Sequence, residues 1–438
     1  MEAGCARHEV VKRVQFVTGI ACLGGVLLPD RLYVVPLWRA IGVALLMMAI
    51  AAAAGGCATL DLRDGIDDAR LARQAVVAGL PGVRFWGDEV PADIGAEVKR
   101  RLPNMPGFSL ASVKLKERPV VDILALSGGG GDGAFGAGLL AGWTARGDRP
   151  EFEVVTGISA GAIIAPFAFL GPQYDKDLEE IWTGYKTSQI ATAQILPGLL
   201  GGPALADTAP LKALIARYVD HRMMREIAHE YQRRGRILLV GTTNLDAQRP
   251  VVWNMGEIAA SKHPNALHLF RDVILASAAI PGAFPPVDIK VQVDGKIYSE
   301  MHVDGGTTQE IFVSPVKVPF RAFDRLYKKP PVRRIYIVNN AKIDPEQKVI
   351  RSQTIPIASR AISTLIKSQS QGEIYRIYRM AKDAGADFNF IAVPREFEVQ
   401  SEQFFDPVYQ RALFDEGYKV GKAGNRWLKQ PPDTIAQN

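Results

Sequence analysis

From Arg118 onward the chain repeats one pattern: a short apolar run, a glycine-rich break, then a longer apolar or amphipathic stretch. The run Val120–Leu126 (VVDILAL) is short and almost continuously apolar, as a parallel strand buried on both faces should be. Residues 134–144 are predicted to follow as a helix, residues 152–156 as the next strand and residues 160–170 as a second helix. That order is the grammar of an α/β domain with a mostly parallel central sheet. Further strands are predicted over 237–243, 251–254, 297–303, 334–339 and 388–393. Helices are predicted over 211–219, 225–233, 267–278, 356–380 and 407–422. Ahead of this body, residues 58–117 are punctuated by Pro81-Gly82, Pro91, Pro103 and Pro106, which break any long element. They read as a linker and N-terminal extension with a short helix around 67–78. Residues 187–207 contain Leu196-Pro197-Gly198-Leu199-Leu200-Gly201-Gly202-Pro203. An apolar stretch so interrupted suits a cover over a cleft or a packed loop.

The N-terminus has a different pattern. Residues 40–56 form an uncharged run that ends in small residues at Cys57, with Arg31 and Arg39 before it. A basic flank, an apolar stretch and a small-residue end predict a secretory signal, and the residues before Cys57 resemble a bacterial lipoprotein cleavage site. Ala54 stands where such sites usually carry Leu, and a second apolar stretch lies upstream at 14–28. The run is short for a membrane span, which takes about 20 apolar residues. The expectation is therefore export with lipidation at Cys57, the alternative being an uncleaved membrane anchor. Domain expectations follow: 1–57 as leader or anchor, 58–117 as linker, 118–315 as the catalytic domain and 316–438 as a C-terminal α/β extension packed on it.

Composition changes this picture little. The formal net charge of the 438 residues is +6. Five cations against three anions precede Cys57, so +4 remains on the body. That excess is compatible with an anionic membrane surface, but no basic stripe with interleaved aromatics points to nucleic acid. The three cysteines, Cys5, Cys22 and Cys57, all lie in the N-terminal segment, so the body has no disulfide framework or thiolate metal site. The six histidines show no metal-binding spacing.

Three glycine-rich turns carry the candidate chemistry. Gly157-Ile158-Ser159-Ala160-Gly161 lies between a predicted strand and a predicted helix. That is the context of a nucleophile elbow, where Gly157 and Gly161 leave room for a sharp turn that presents the Ser159 hydroxyl. The bland reading is a serine N-cap with packing glycines. Ser127-Gly128-Gly129-Gly130-Gly131-Asp132-Gly133 follows the preceding strand. Its side-chain-free amides can converge on a phosphate or an oxyanion. Read as Gly131-x-Gly133-x-x-Gly136, the same loop fits a dinucleotide motif with Glu151 or Glu153 as the ribose acid, but that leaves Ser159 unexplained. The third turn, His302-Val303-Asp304-Gly305-Gly306, ends a predicted strand with an acid. Alone it is an ordinary Asp-Gly turn.

Together, the glycine loop, the elbow about 30 residues on and the Asp-Gly-Gly beyond it resemble the patatin-like phospholipases over residues 121 to about 310. Gly241-Thr242-Thr243-Asn244-Leu245-Asp246 and the stretch 276–287 (ASAAIPGAFPPV) fit the same family. The resemblance implies a three-layer α/β/α fold and a serine acyl hydrolase of lipase or phospholipase A type. It implies a Ser159–Asp304 dyad and an oxyanion hole from Gly128, Gly129 and Gly130, with Gly133, Gly157, Gly161, Gly305 and Gly306 supporting the motifs. No metal or other cofactor is implied, and the partners are a fatty acyl ester and a membrane surface. One position departs: the family's first loop usually carries Arg or Lys where Asp132 stands, which questions a preference for phosphate-bearing substrates. No histidine follows Asp304, so a triad would need His302 as base with Asp246 or Asp220. Ser277 and Asp272 read as structural. A free carboxylate near pKa 3.9 is a poor base for an alcohol, so the dyad requires burial to raise Asp304 or a site that stabilises the alkoxide. An acyltransferase on this scaffold and a non-catalytic acyl-binding lipoprotein are the competing functions.

Overall fold

The computed structural model describes residues 63–105, 108, 118–193, 204–314, 318–401, 403 and 405–432. The expected leader with Cys57, and residues 194–203 of the expected cover, lie outside these. Residues 62–438 cluster as one unit, separate from residues 1–61. Among the described residues no helix is long and apolar enough to cross a membrane.

The chain begins with α1 (Ala69–Gln74), β1 (Val76–Val77), β2 (Arg84–Trp86) and α2 (Ile94–Arg101), then enters β3 (Val120–Leu126), α3 (Gly133–Arg146), β4 (Val154–Gly157) and α4 (Ala160–Leu170). Next come α5 (Asp175–Thr183), the paired short strands β5 (Thr192–Ala193) and β6 (Ala206–Asp207), and helices α6 (Ala209–Tyr218) and α7 (His221–Arg234). They are followed by β7 (Ile237–Asn244), β8 (Arg249–Asn254), α8 (Met255–Ala260), α9 (Ala266–Ser277), β9 (Val287–Val293) and β10 (Lys296–Asp304). The last elements are β11 (Val332–Asn339), α10 (Thr354–Ala384), β12 (Asp387–Ala392) and α11 (Pro407–Ala423).

One sheet runs β1-β9-β10-β7-β4-β3-β11-β12, with β8 pairing both β7 and β2. Its five central strands, β7 to β12 in that order, are parallel, and the flank is antiparallel. The apolar run of β3 explains the layering. Leu124 and Leu126 enter the core shared with α3, α4 and α11, while Ile123 and Ala125 join Ile374, Ile377 and Ala381 of α10 on the opposite face. Helices thus cover both faces, as a parallel sheet requires. Glycine sets how closely two of these helices meet: a Cβ on Gly138 or Gly142 of α3 would run into the α11 backbone, and one on Gly417 or Gly421 into α3.

The predicted strands and helices are present with ends shifted by a few residues. Eight further elements, α2, α5, α8, β1, β2, β5, β6 and β9, join them. Strands β1 and β2, from the stretch expected as linker, pair with β9 and β8. Strands β11 and β12 extend the parallel core beyond β3.

Register brings the three turns together. Leu126 of β3 pairs with Gly157 of β4, which pairs with Val240 of β7. Two residues further along β7, Thr242 faces Asp304 at the end of β10.

Candidate active site

Ser159 occupies the turn between β4 and α4 at φ 54°, ψ −120°, a strained backbone for a residue with a side chain. The flanking glycines are required by space. A Cβ on Gly157 would collide with Gly161 O, and one on Gly161 with Leu126 O. The strain is held by a relay: Ser159 N donates to Ser277 Oγ at 3.0 Å, and Ser277 donates to Gly241 O at 2.6 Å. Ser277, expected to be structural, thus pins the elbow to β7. Ser159 is 5% exposed and stands at the start of α4, whose positive end favours developing negative charge.

Asp304 ends β10 and is buried. Its Oδ1 accepts from Gly306 N at 2.8 Å. Its Oδ2 has no partner in hydrogen-bond geometry, and Ser159 is the side chain whose approach acts on this carboxyl. Burial pushes Asp304 up to about 7, against the opposing pull of Ser159 and the Gly306 amide. This is the raised carboxylate that direct proton abstraction requires. Gly305 lets the turn close on β7, since a Cβ there would strike Gly241 O.

The glycine loop shows why it carries so few side chains. Gly129, at φ 145°, lies against Asn340 O, and Gly130 has φ 55°. Asn340, just after β11, binds the loop to the sheet. Its backbone N donates to Ser127 Oγ at 2.8 Å, its Nδ2 donates to Ser127 O at 2.8 Å, and its Oδ1 accepts from Gly136 N at 3.1 Å. A Cβ on Gly133 would enter the Trp182 ring. The Gly128 amide donates to the carboxyl of Glu310, so this one of the three expected donors already has an acceptor inside the protein.

Glu310 was not among the expected site residues. Its carboxyl fills the space that a Cβ on either Gly128 or Gly306 would need, directly beside Asp304. Burial, then the charges of Asp304 and Glu373, push it well above the usual carboxylate range. Glu373 of α10 lies behind it, accepting from Glu310 N at 2.9 Å and Ile311 N at 2.8 Å, and burial raises it to about 7. No local sequence signal distinguishes either residue.

The alternative readings can be placed. Trp253 Nε1 donates to Thr242 Oγ1 at 2.8 Å, leaving the threonine proton for His302 Nδ1 at 3.0 Å. The proton on His302 Nε2 then faces Glu300 at 3.2 Å, which is also paired with Arg84. Both ring nitrogens are occupied. Burial lowers the His302 pKa, and although burial acts to raise Glu300, Arg84 and His302 hold it at about 2. Asp246 holds Arg63 and Asp220 caps α7 through Met223 N, so neither orients His302. Glu151 pairs with Arg234 and Glu153 accepts from Asp122 N. Both lie toward the start of β4, away from the glycine loop, which leaves the dinucleotide reading without its acid. Asp132 accepts from Tyr409 of α11 at 2.8 Å and is pushed up to about 7 by burial.

From Ser159 and Gly130 a narrow cavity opens between α4, α6 and α9, lined by Phe167, Leu211, Ile215, Ile274 and Phe284 among others. No charged side chain lines it among the described residues. Two of its buried polar atoms, Gln410 Oε1 and Trp182 Nε1, lack partners, and both residues touch the glycine loop. The cavity is thus apolar along its length and polar at the serine end, the arrangement that seats an acyl chain with its carbonyl on the loop.

The family model of the patatin-like phospholipases matches residues 124–318. No curated protein matches the sequence. Among solved structures, VipD from Legionella pneumophila is 13% identical with a TM-score of 0.34, over 69% of this chain and 66% of that one. Human GIVD cytosolic phospholipase A2, solved with methyl gamma-linolenyl fluorophosphonate and terbium chloride, is 11% identical with a TM-score of 0.28, over 78% and 64%. The chain spans about two thirds of the length of each.

Proposed function

Residues 124–318 belong to the patatin-like phospholipase family, and on that premise we propose that this chain is a lipid acyl hydrolase working through Ser159, Asp304 and the glycine-loop amides. Asp304 Oδ2 takes the hydroxyl proton as Ser159 Oγ attacks the ester carbonyl carbon. The carbonyl oxygen becomes an oxyanion on the Gly129 and Gly130 amides, aided by the start of α4; removing one such donor costs about 100- to 1,000-fold in rate. Collapse expels the alcohol, which takes the proton from Asp304. Water, deprotonated by the same carboxylate, then releases the fatty acid and restores the serine. The observation that carries this reading is the strained Ser159 beside an unshared carboxylate oxygen at the mouth of an apolar cavity.

Labelling by a fluorophosphonate and turnover of p-nitrophenyl acyl esters test it. Wild type should react in both assays and Ser159→Ala in neither. Equal turnover by the two proteins would end the assignment, and transfer of the acyl group to an added alcohol in preference to water would make the enzyme a transferase. We also propose that the protein is exported and held at the cell envelope through lipidated Cys57, which the mass of the mature N-terminus would test.

A further inference from the structure

The long helix α10 has two unlike halves. Its buried residues begin at Ser370 and continue through Glu373, Ile374, Ile377 and Ala381. The preceding four turns bury no residue, yet they are not polar. Ile355, Ala358, Ile362 and Leu365 recur at helical spacing on one side, and Ile357 adds a neighbouring apolar position. Leu365 is 69% exposed, and Val349, on the segment leading into the helix, is 92% exposed.

Charge distinguishes the possible occupants of this face. Residues 347–372 contain Lys348, Arg351, Arg360 and Lys367 and no Asp or Glu. Lys367 is tied to Glu346 and the Asp344 carbonyl, and Arg360 donates to the Glu346 carbonyl. Lys348 and Arg351 are exposed. A second copy of the helix laid on the apolar stripe would bring cations against cations with no acid in the segment to pair with them, whereas self-pairing helices normally flank such a seam with opposite charges. An anionic lipid surface supplies the missing sign and takes up the exposed apolar side chains, as it does for interfacial helices in general.

We infer that residues 348–366 form a docking element that lays the exposed half of α10 on an anionic lipid bilayer. The buried half of the same helix is built into the candidate site. Ser370 Oγ donates to Asn339 Oδ1 at 3.1 Å, and Glu373 accepts the Glu310 and Ile311 amides. The docked half is thus continuous with a helix built into the candidate site, which holds the site at a fixed orientation relative to the bilayer.

The test uses the full chain with vesicles of phosphatidylcholine, with and without phosphatidylglycerol. Hydrogen exchange of peptides covering 348–366 should slow only with the anionic vesicles. Replacing Lys348 or Arg351 by Gln should each weaken vesicle binding about fivefold, the effect of one juxtamembrane charge, and Leu365→Glu with Ile355→Glu should weaken it more than tenfold. Exchange in 348–366 unchanged by vesicles would overturn the inference, as would undiminished binding by the double variant. Protection without lipid that disappears on dilution, with the mass of a dimer, would assign the face to a second copy instead. Turnover of a soluble ester separates the two readings. It should be unchanged in Leu365→Glu; if neither wild type nor variant turns it over, the hydrolase assignment fails while the docking result stands.

Discussion

The raised carboxyl of Asp304 makes stability and activity run in opposite directions over one pH range. In the unfolded chain the group ionises near 3.8, and in the fold near 7. A folded pKa raised above the unfolded one gives stability that is fully present below the lower value and lost as pH rises through the upper. Between pH 5 and pH 8 those two values imply a loss of about 2–3 kcal/mol from this group alone. The proposed mechanism needs the ionised form, so kcat/KM should rise about tenfold per pH unit below 7 and stand near one hundredth of its plateau at pH 5.

Asp304→Asn isolates the term. The amide oxygen can still accept from Gly306 N, but the side chain no longer acquires charge. Glu310 and Glu373 titrate in both proteins and largely cancel in the comparison. The residual coupling has a known sign, because an ionised Asp304 repels Glu310 and its removal relieves that cost at high pH. Urea midpoints with their slopes, measured for both proteins at pH 5 and pH 8, should show the variant gaining about 2–3 kcal/mol on wild type between the two pH values while losing turnover. If the stability difference is the same at pH 5 and pH 8, or if wild-type kcat/KM is flat across pH 5 to 7, Asp304 does not carry the buried charge and cannot be the base described here.

Three further predictions concern the surroundings of the dyad. Ser277→Ala leaves Ser159 N and Gly241 O buried without their partner and should cost about 1–3 kcal/mol, with kcat falling more than KM changes; a variant as stable and active as wild type would dissociate the relay from the elbow. Glu310→Gln keeps an acceptor for the Gly128 amide and should leave the acid limb of the pH profile in place with activity within a few-fold, whereas Glu310→Ala strands that amide at about 1–3 kcal/mol. A shift of the acid limb by a unit or more in Glu310→Gln would mean that Glu310 is charged at neutral pH. His302→Gln should retain measurable turnover under conditions where Asp304→Asn has none; the reverse order would make the histidine the base.

What the sequence revealed and what it withheld divide along a physical line. Val120–Leu126 and Ala160–Leu170 were legible because burial on all sides writes itself as continuous apolar composition, and the glycines of the elbow because a missing Cβ is the only solution to that turn. Strand β9 was equally written, as the alternation Val287, Ile289, Val291, Val293, but a half-buried strand of the antiparallel flank carries no continuous apolar run to mark it. Glu310, Glu373 and Asn340 were not written locally at all. Each is an ordinary polar residue whose meaning comes from a partner far away in the chain: Glu310 from Gly128, Glu373 from the Glu310 amide 63 residues earlier, and Asn340 from Ser127, 213 residues earlier. A histidine two residues from the proposed base, by contrast, invites overreading. Only the contacts of both its nitrogens show that His302 serves β10 and not Ser159.

Asp132 shows how these levels combine. The resemblance leads to a cation at this point of the loop, and an uncompensated acid beside an oxyanion site would oppose catalysis. The structure supplies the compensation from the far end of the chain. Tyr409 of α11 donates to Asp132, and its neighbour Gln410 reaches the Gly131 carbonyl. Burial raises Asp132 to about 7, so near neutral pH about half of the acid is protonated and its mean repulsion of a developing oxyanion is reduced. The α11 clamp thus fixes the loop with hydrogen bonds. It does not add positive potential, and the cavity lining beside it adds none. In the proposed mechanism oxyanion stabilisation therefore falls to backbone amides and the start of α4. The same reasoning directs the substrate's charge outward: among the described residues no charged side chain lines the cavity, so a phosphate-bearing head group is left outside it, where the charges of Lys342 and Lys367 reach Asp132.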